Sequence, residues 1–384
     1  YKHSISAVVC LFCSVFSFSQ VLTFEKFIYQ VKQHHPVAKQ AQLKTLYGEA
    51  NLLKSRGFFD PKIASGIAQK YYNDKQYYSH INAEFKIPTW FGIELKALYE
   101  NNFGSYLNSE LNTPRNGLLA TGISIPLGQR LLMDERRTEL KKAKIFLEIS
   151  ENERQILLND ILKDAGIAYW NWYKAFHKMK IYEEVLNLAE NRLEFVKNEA
   201  QTGESPLMDT LEAFIQYSNR LVMYKQSQQE YFAASKHLEK FLWQEGIIPL
   251  ELQPGITPVS IKETSFASSE NVEQLKPDSL TKYNPKILKT RNYIRQKQLE
   301  LRLYREYLKP KLDLQYHPLI EPLGNDFVQK YSLNNYKWGL DFSIPILYRK
   351  ERGQISAKNI EIKEAELQLE FMQLEYFKWW NSAQ

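Results

Sequence analysis

Residues 336–345 read YKWGLDFSIP, so apolar and polar side chains alternate until a proline ends the run. Residues 117–126 read GLLATGISIP and end on the same three residues, Ser-Ile-Pro. A period of two is typical of a β-strand with one apolar and one polar face. After each proline the spacing of apolar residues becomes helical. Pro126 and Pro345 therefore mark two equivalent passages from strand to helix.

The same order of prolines occurs twice along the chain. Pro36 and Pro285 each open a helical segment, where a proline gives up only an N–H group that would be unpaired anyway. Pro61 and Pro310 each follow 25 residues later. Both pairs are 249 positions apart, which favours an internal duplication. The prolines that define the two copies are Pro36, Pro61, Pro126, Pro285, Pro310 and Pro345.

The two copies differ in the length of their strand regions. We place these regions at about 61–126 and about 310–345. Pro61 and Pro126 are 65 positions apart in the first copy, whereas Pro310 and Pro345 are 35 positions apart in the second. The excess in the first copy predicts an extra hairpin or an extended loop. One chain then offers about four to six strands of the length that a barrel needs.

Two long helices are predicted after the first strand region. Residues 135–201 contain no proline and one glycine, which predicts a helix of about 100 Å. The segment 202–206, TGESP, is a stop signal. A second helix is expected over 207–245, with a narrow apolar stripe that suits coiled-coil packing. We therefore predict a helical hairpin over about 133–245.

The ends and the remaining boundaries follow from composition. A short basic start and an apolar run, which contains Cys10 and Cys13, predict a secretory signal peptide. We expect the sequence to be truncated at both ends, because it lacks an initiator Met and its last helix has no stop signal. The predicted parts are the signal peptide 1–19, a first repeat 20–245, a connector 246–282, and an incomplete second repeat 283–384 with its long helix from about 352.

The sequence shows no sign of an enzyme. It lacks a phosphate-binding glycine loop, zinc-ligand spacing and a nucleophile elbow, so we expect no catalytic residue, cofactor or metal. The net charge of +6 comes from interspersed charges, which disfavours nucleic-acid binding. His34 and His35 are interpreted as a helix start beside Pro36. Residues 134–137, DERR, open a helix, and the aromatic run 169–173 is expected to pack between helices.

The amphipathic strands favour a membrane barrel in this context. Such strands are usually half-buried in soluble proteins, but here they follow an export signal and occur in duplicate at the ends of long helices. A lipid-exposed sheet cannot keep open edges. The strands of one chain would therefore have to close with those of other copies. The helices would then surround a water-filled cylinder.

The order of these elements resembles the TolC outer-membrane efflux family over nearly all of the chain after the signal. Residues 22–24, LTF, resemble its start, and residues 200–213, AQTGESPLMDTLEA, resemble the turn at the tip of its first helical hairpin. The fold so implied is mainly α with β: coiled-coil hairpins forming a periplasmic α-barrel, and strands contributing to a trimeric transmembrane β-barrel of about twelve strands.

The resemblance also implies partners, a location and a site. The chain would be the outer-membrane duct subunit of a tripartite efflux pump in a Gram-negative bacterium. As a homotrimer in outer-membrane lipid, it would extend into the periplasm and meet a periplasmic adaptor (membrane fusion) protein and an inner-membrane pump. The residues expected at the tip turn and adaptor contact are Thr202, Gly203, Glu204, Ser205, Pro206 and Asp209.

Two alternatives stay open at this point. The chain could be the outer-membrane duct of a type I protein secretion system, since nothing in the sequence separates drug, metal and protein cargo. It could also be a periplasmic coiled-coil scaffold or adaptor without a transport function. The second alternative explains the helices but not the duplicated amphipathic strands.

Overall fold

The computed structural model describes residues 21–261, 281–321, 332 and 334–383. The predicted signal peptide 1–19, with Cys10 and Cys13, lies outside the described residues, as does much of the predicted connector. The described residues form two compact units. The first comprises residues 21–42 and 155–261, and the second comprises residues 43–154 together with those from 281 onward.

Six α-helices occur in the described part of the chain. α1 begins after Thr23, whose hydroxyl accepts a hydrogen bond from the backbone N–H of Lys26. α3 begins after Asp134, which accepts one from the backbone N–H of Arg137 at 2.7 Å. The helices are α1 (Phe24–His34), α2 (Pro36–Arg56), α3 (Glu135–Thr202), α4 (Leu207–Glu239), α5 (Pro285–Glu306) and α6 (Arg349–Ala383).

Six strands of the second unit form one antiparallel sheet in the order β10-β9-β5-β4-β3-β2. Asn73 and Asp74 both have positive φ and form a tight turn of the kind that joins hairpin strands. The sheet strands are β2 (Lys62–Tyr72), β3 (Lys75–Pro88), β4 (Glu94–Phe103), β5 (Leu118–Pro126), β9 (Lys311–Ile320) and β10 (Tyr336–Ser343). Four of them lie between Pro61 and Pro126, so the excess length of that region forms a hairpin.

The first unit has its core where α1, α3 and the end of α4 meet. Trp172 and Tyr169 of α3 are fully buried there together with Phe27 of α1. The Tyr169 hydroxyl donates a hydrogen bond to the carbonyl of Leu22 at 2.8 Å. Burial raises the pKa of Tyr169 to about 12. The aromatic run 169–173 therefore packs between helices, as expected.

Short strands complete the first unit and correct one predicted boundary. α4 was expected to continue to about residue 245, but it ends at Glu239. Gly246 and Ile247 have positive φ and reverse the chain, so that β6 (Trp243–Gln244) pairs with β7 (Ile248–Pro249). β1 (Val21–Leu22) pairs in parallel with β8 (Thr257–Pro258). The helix ends early because its last predicted turn is used for this pairing.

An ion-pair network joins three helices of the second unit. Glu300 of α5 contacts Lys142 of α3 at 2.7 Å and Lys358 of α6 at 3.0 Å. Glu361 contacts Lys358 at 2.8 Å and Lys297 at 2.7 Å. Desolvation raises the pKa of Glu300, but its hydrogen bonds and charge interactions with the two lysines outweigh this, so the pKa is lowered overall.

Candidate functional site

The turn between α3 and α4, residues 202–206, is closed by backbone hydrogen bonds typical of a helix that ends on glycine. Gly203 has φ +81°. The N–H of Glu204 donates to the carbonyl of Glu199 at 2.9 Å, and the N–H of Gly203 donates to Ala200 at 3.4 Å. Ser205 donates to the Glu199 carboxylate at 3.1 Å. The sequence TGESP therefore forms one defined turn.

Beyond the turn, α4 starts with an acid and an exposed apolar surface. Pro206 precedes its first residue, and Asp209 lies in the first turn, where a negative charge suits the helix dipole. Leu207 is 80% exposed, and Leu211 and Phe214 are also exposed. The predicted apolar stripe is thus left uncovered in the single chain. The residues that α4 buries are Ala213, Ser227, Ser235 and Leu238.

The sheet of the second unit has two chemically different faces. Along β10, Trp338, Leu340 and Phe342 lie on one face, and their neighbours Lys337, Gly339 and Asp341 lie on the other. Cross-strand pairing carries the same division to the remaining strands. The apolar side chains are not buried: Ile63 is 81% exposed and Trp338 is 62% exposed. A water-exposed apolar face of this extent marks an interaction surface.

A charged cavity of about 380 Å³ lies at the end of the sheet next to the start of α3. Arg130 contacts Asp313 at 2.7 Å, and Arg136 contacts Glu94 at 2.8 Å. The Tyr307 hydroxyl donates to the Glu135 carboxylate at 2.7 Å. Burial and then this carboxylate raise the pKa of Tyr307. The ions in the cavity are paired with one another, which fixes the helix start against the sheet.

Comparison with solved structures identifies the fold. The chain aligns with a membrane protein from Pseudomonas aeruginosa at a TM-score of 0.59 and 12% identity, over 92% of this chain and 74% of that one. It aligns with the open MtrE outer membrane channel of Neisseria gonorrhoeae at a TM-score of 0.58 and 14% identity, over 92% of this chain and 71% of that one. It aligns with the CmeC outer membrane channel of Campylobacter jejuni at a TM-score of 0.57 and 12% identity, over 92% of this chain and 68% of that one.

The chain has the fold of the TolC-type outer-membrane channels. No model of a sequence family and no curated protein matches it. The likeness at this identity concerns the fold alone. Within the part of the chain that the structure describes, no helix combines the length and apolarity needed to cross a membrane.

In this TolC-type fold the six prolines lie at the ends of helices and strands. Pro36 and Pro285 are the first residues of α2 and α5. Pro61 and Pro310 directly precede β2 and β9. Pro126 ends β5 and pairs with Asp313 of β9, whereas Pro345 lies two residues beyond β10. The duplication and its domain boundaries stay predictions.

The sequence alone did not predict the ion pairs that line the charged cavity of this chain. Arg130 follows β5, whereas Asp313 lies within β9. Their pairing joins positions 183 residues apart, and no local pattern signals it.

His35 is buried beside Phe241, and its Nδ1 accepts a hydrogen bond from the N–H of Val37 at 3.2 Å. This agrees with the predicted helix start.

Proposed function

We propose that this chain is the outer-membrane duct subunit of a tripartite efflux pump, a passive conduit for small molecules across the periplasm and outer membrane. The observation that supports it best is the six-stranded sheet with an exposed apolar face and a polar opposite face. Such a sheet is suited to meet lipid on one side and water on the other. The likeness to outer membrane channels of known structure adds support.

Assembly with other copies follows from the sheet edges. β2 and β10 each have one neighbour and present unpaired backbone N–H and C=O groups on the other side. Lipid cannot satisfy these groups, so the edges would pair with those of neighbouring chains. Three copies of a six-stranded sheet bring eighteen strands. We therefore propose a homotrimer with a barrel of eighteen strands in place of the twelve implied by the resemblance.

The exposed apolar surface at the hairpin tip favours contact with a periplasmic partner. Leu207, Leu211 and Phe214 are exposed next to the defined turn 202–206 and Asp209. An apolar surface at the end of a helical hairpin is suited to contact another helical hairpin. We propose that the tip contacts a periplasmic adaptor, which connects the duct to an inner-membrane pump. A periplasmic scaffold would account for this surface but not for the exposed apolar sheet face.

The proposal is tested by membrane fractionation of the full protein and by its behaviour on unheated denaturing gels. We expect recovery from the outer membrane as a trimer that heat dissociates, and single-channel conductance after reconstitution into planar bilayers. Recovery as a soluble periplasmic monomer would overturn the proposal. An outer-membrane trimer without conductance would leave the location but remove the duct function.

A further inference from the structure

One transverse row of residues on the polar face of the sheet is rich in cationic side chains. Lys62 of β2 pairs directly with Lys86 of β3, and Lys86 pairs with Lys96 of β4. Toward the opposite edge of the sheet and on the same face, His317 of β9 pairs with Lys337 of β10. The row, which we call the cationic row after its four lysines, consists of Lys62, Lys86, Lys96, Gly122, His317 and Lys337.

Gly122 joins the two halves of the cationic row. It is the β5 partner of Lys96. A Cβ at this position would collide with the ring of His317 and with the backbone carbonyl of Tyr316. The row is therefore continuous from one free edge of the sheet to the other. At its centre the β5 backbone approaches β9 closely, and no side chain separates Lys96 from His317.

The alignment of three lysines on adjacent strands is unfavourable for folding. Like charges directly opposite each other on neighbouring strands destabilise a sheet. Lys86 is compensated by Glu94, whose carboxylate it contacts at 2.8 Å. Lys62, Lys96 and Lys337 form no ion pair with any described residue. Lys96 is also half-buried, which adds a desolvation cost that no counter-charge offsets.

The acidic residues of the polar face lie in other rows. Glu84 pairs with Ala64 and Leu98, and Glu100 pairs with Asn82. Glu94 is shared between Lys86 and Arg136 and so cannot neutralise the row. At the level of the cationic row, positive charge therefore exceeds negative charge.

We propose that the cationic row forms a ring of positive charge in the lumen and selects anionic solutes. This inference rests on the proposed duct function and names the class of cargo: small solutes that carry carboxylate or phosphate groups. Each copy would contribute one row, and rings of lysine or arginine favour anions in pores. A confined positive potential concentrates anions. The effect weakens with salt, since the Debye length is about 10 Å at 0.1 M.

The test is the zero-current potential of the full protein in planar bilayers under a potassium chloride gradient. We expect the wild type to pass chloride in preference to potassium. The double variant Lys96→Gln/Lys337→Gln should shift the zero-current potential toward that of a non-selective pore. Lys96→Arg keeps the charge and should keep the wild-type potential. Preference for potassium in the wild type, or an unchanged potential in the double variant, would overturn the inference.

Controls separate this inference from the proposed function. Lys26→Gln in α1 removes the same charge from an exposed position in the other compact unit and should leave the potential unchanged. Each variant is first required to give the heat-labile trimer, so that a folding defect is not mistaken for lost selectivity. Open channels without anion preference overturn only the cationic row, whereas failure of the wild type to form channels overturns both proposals.

Discussion

Ile67 lies in the middle of β2 with its side chain on the apolar face and largely exposed. In a water-facing sheet, replacing such a side chain with lysine changes the free energy of unfolding by less than about 0.5 kcal/mol. On a lipid-facing barrel surface the same change costs about 2–4 kcal/mol near the bilayer midplane. Because we propose that this face meets lipid, we expect Ile67→Lys to show the larger loss, measured by urea unfolding in lipid vesicles.

The neighbouring residue Ala68 is the matched control, because its side chain points to the opposite, polar face. Ala68 is exposed, so Ala68→Lys should change the free energy of unfolding by less than about 0.5 kcal/mol. Equal, small effects of both substitutions would contradict a lipid-facing surface.

Two glycines of the same sheet have different surroundings. At Gly122 an added Cβ meets the backbone of Tyr316, whereas at Gly66 nothing lies within 4 Å. We expect Gly122→Ala to separate β5 from β9 and to lower the free energy of unfolding by about 1–3 kcal/mol, the usual range for overpacking. Gly66→Ala should be nearly neutral. A urea midpoint that is the same for both variants would show that β5 and β9 are not in close contact.

At the scale of elements, the tip turn depends on one left-handed residue. Gly203 has φ +81° and open space around its Cα, so an alanine there is strained only through the backbone. We expect Gly203→Ala to cost about 1–2 kcal/mol in thermal unfolding. Gly353→Ala, in the exposed interior of α6, should instead stabilise by about 0.5–1 kcal/mol. Effects of the same sign would contradict the glycine-capped end of α3.

The network around Glu300 makes the packing of α3, α5 and α6 sensitive to acid. The folded-state pKa of Glu300 is lowered from its ordinary value of 4.5. Its contribution to stability is therefore complete above that value and is lost as the pH falls through the folded-state pKa. Glu300→Gln should cost about 1–2 kcal/mol at pH 7. The variant should also lose less stability than the wild type as the pH falls below the ordinary pKa of the carboxyl.

The control for this network is Glu366→Gln in α6. Glu366 and Lys363 are 4.0 Å apart and both are well exposed, so the change should cost less than about 0.5 kcal/mol. If Glu366→Gln alters the acid dependence as much as Glu300→Gln does, the Glu300 network is not its source.

The elements differ in how well the sequence predicted them. α3 was placed within one residue at each end, because Asp134 and Gly203 are strong local signals. The end of α4 was wrong by six residues, because it depends on pairing between short strands and not on helix propensity. The ion pairs of the cavity and of the Glu300 network were not predicted, since their partners are distant in sequence. The turn 202–206 was predicted because its stop signal is one continuous segment, whereas its contact with an adaptor stays a prediction.

At the scale of the whole molecule, the proposed assembly makes β2 and β10 neighbours across copies. Residues 14–384 contain no cysteine, so introduced cysteines have no competitors within this part of the chain. Gly66 and Gly339 lie on the polar side of the two edges with open space at the Cβ position. We expect the double variant Gly66→Cys/Gly339→Cys to give covalent dimers and trimers with a bifunctional thiol reagent in outer membranes.

The control pairs Gly66→Cys with Ala97→Cys, on the inner strand β4. This pair should give no covalent oligomer. Monomers alone from the edge pair, or oligomers from both pairs, would contradict closure through β2 and β10.

The hairpin β3–β4 has a consequence for how the proposed barrel could change its circumference. Two added strands return the chain to the end of the sheet from which it departed, so β5 still leads into α3 at the side where Arg136 meets Glu94. In the proposed barrel, a single added strand would send every following helix to the opposite side of the membrane. The proposed barrel would therefore widen only by whole hairpins, so that its strand number changes in even steps while the helices keep one direction.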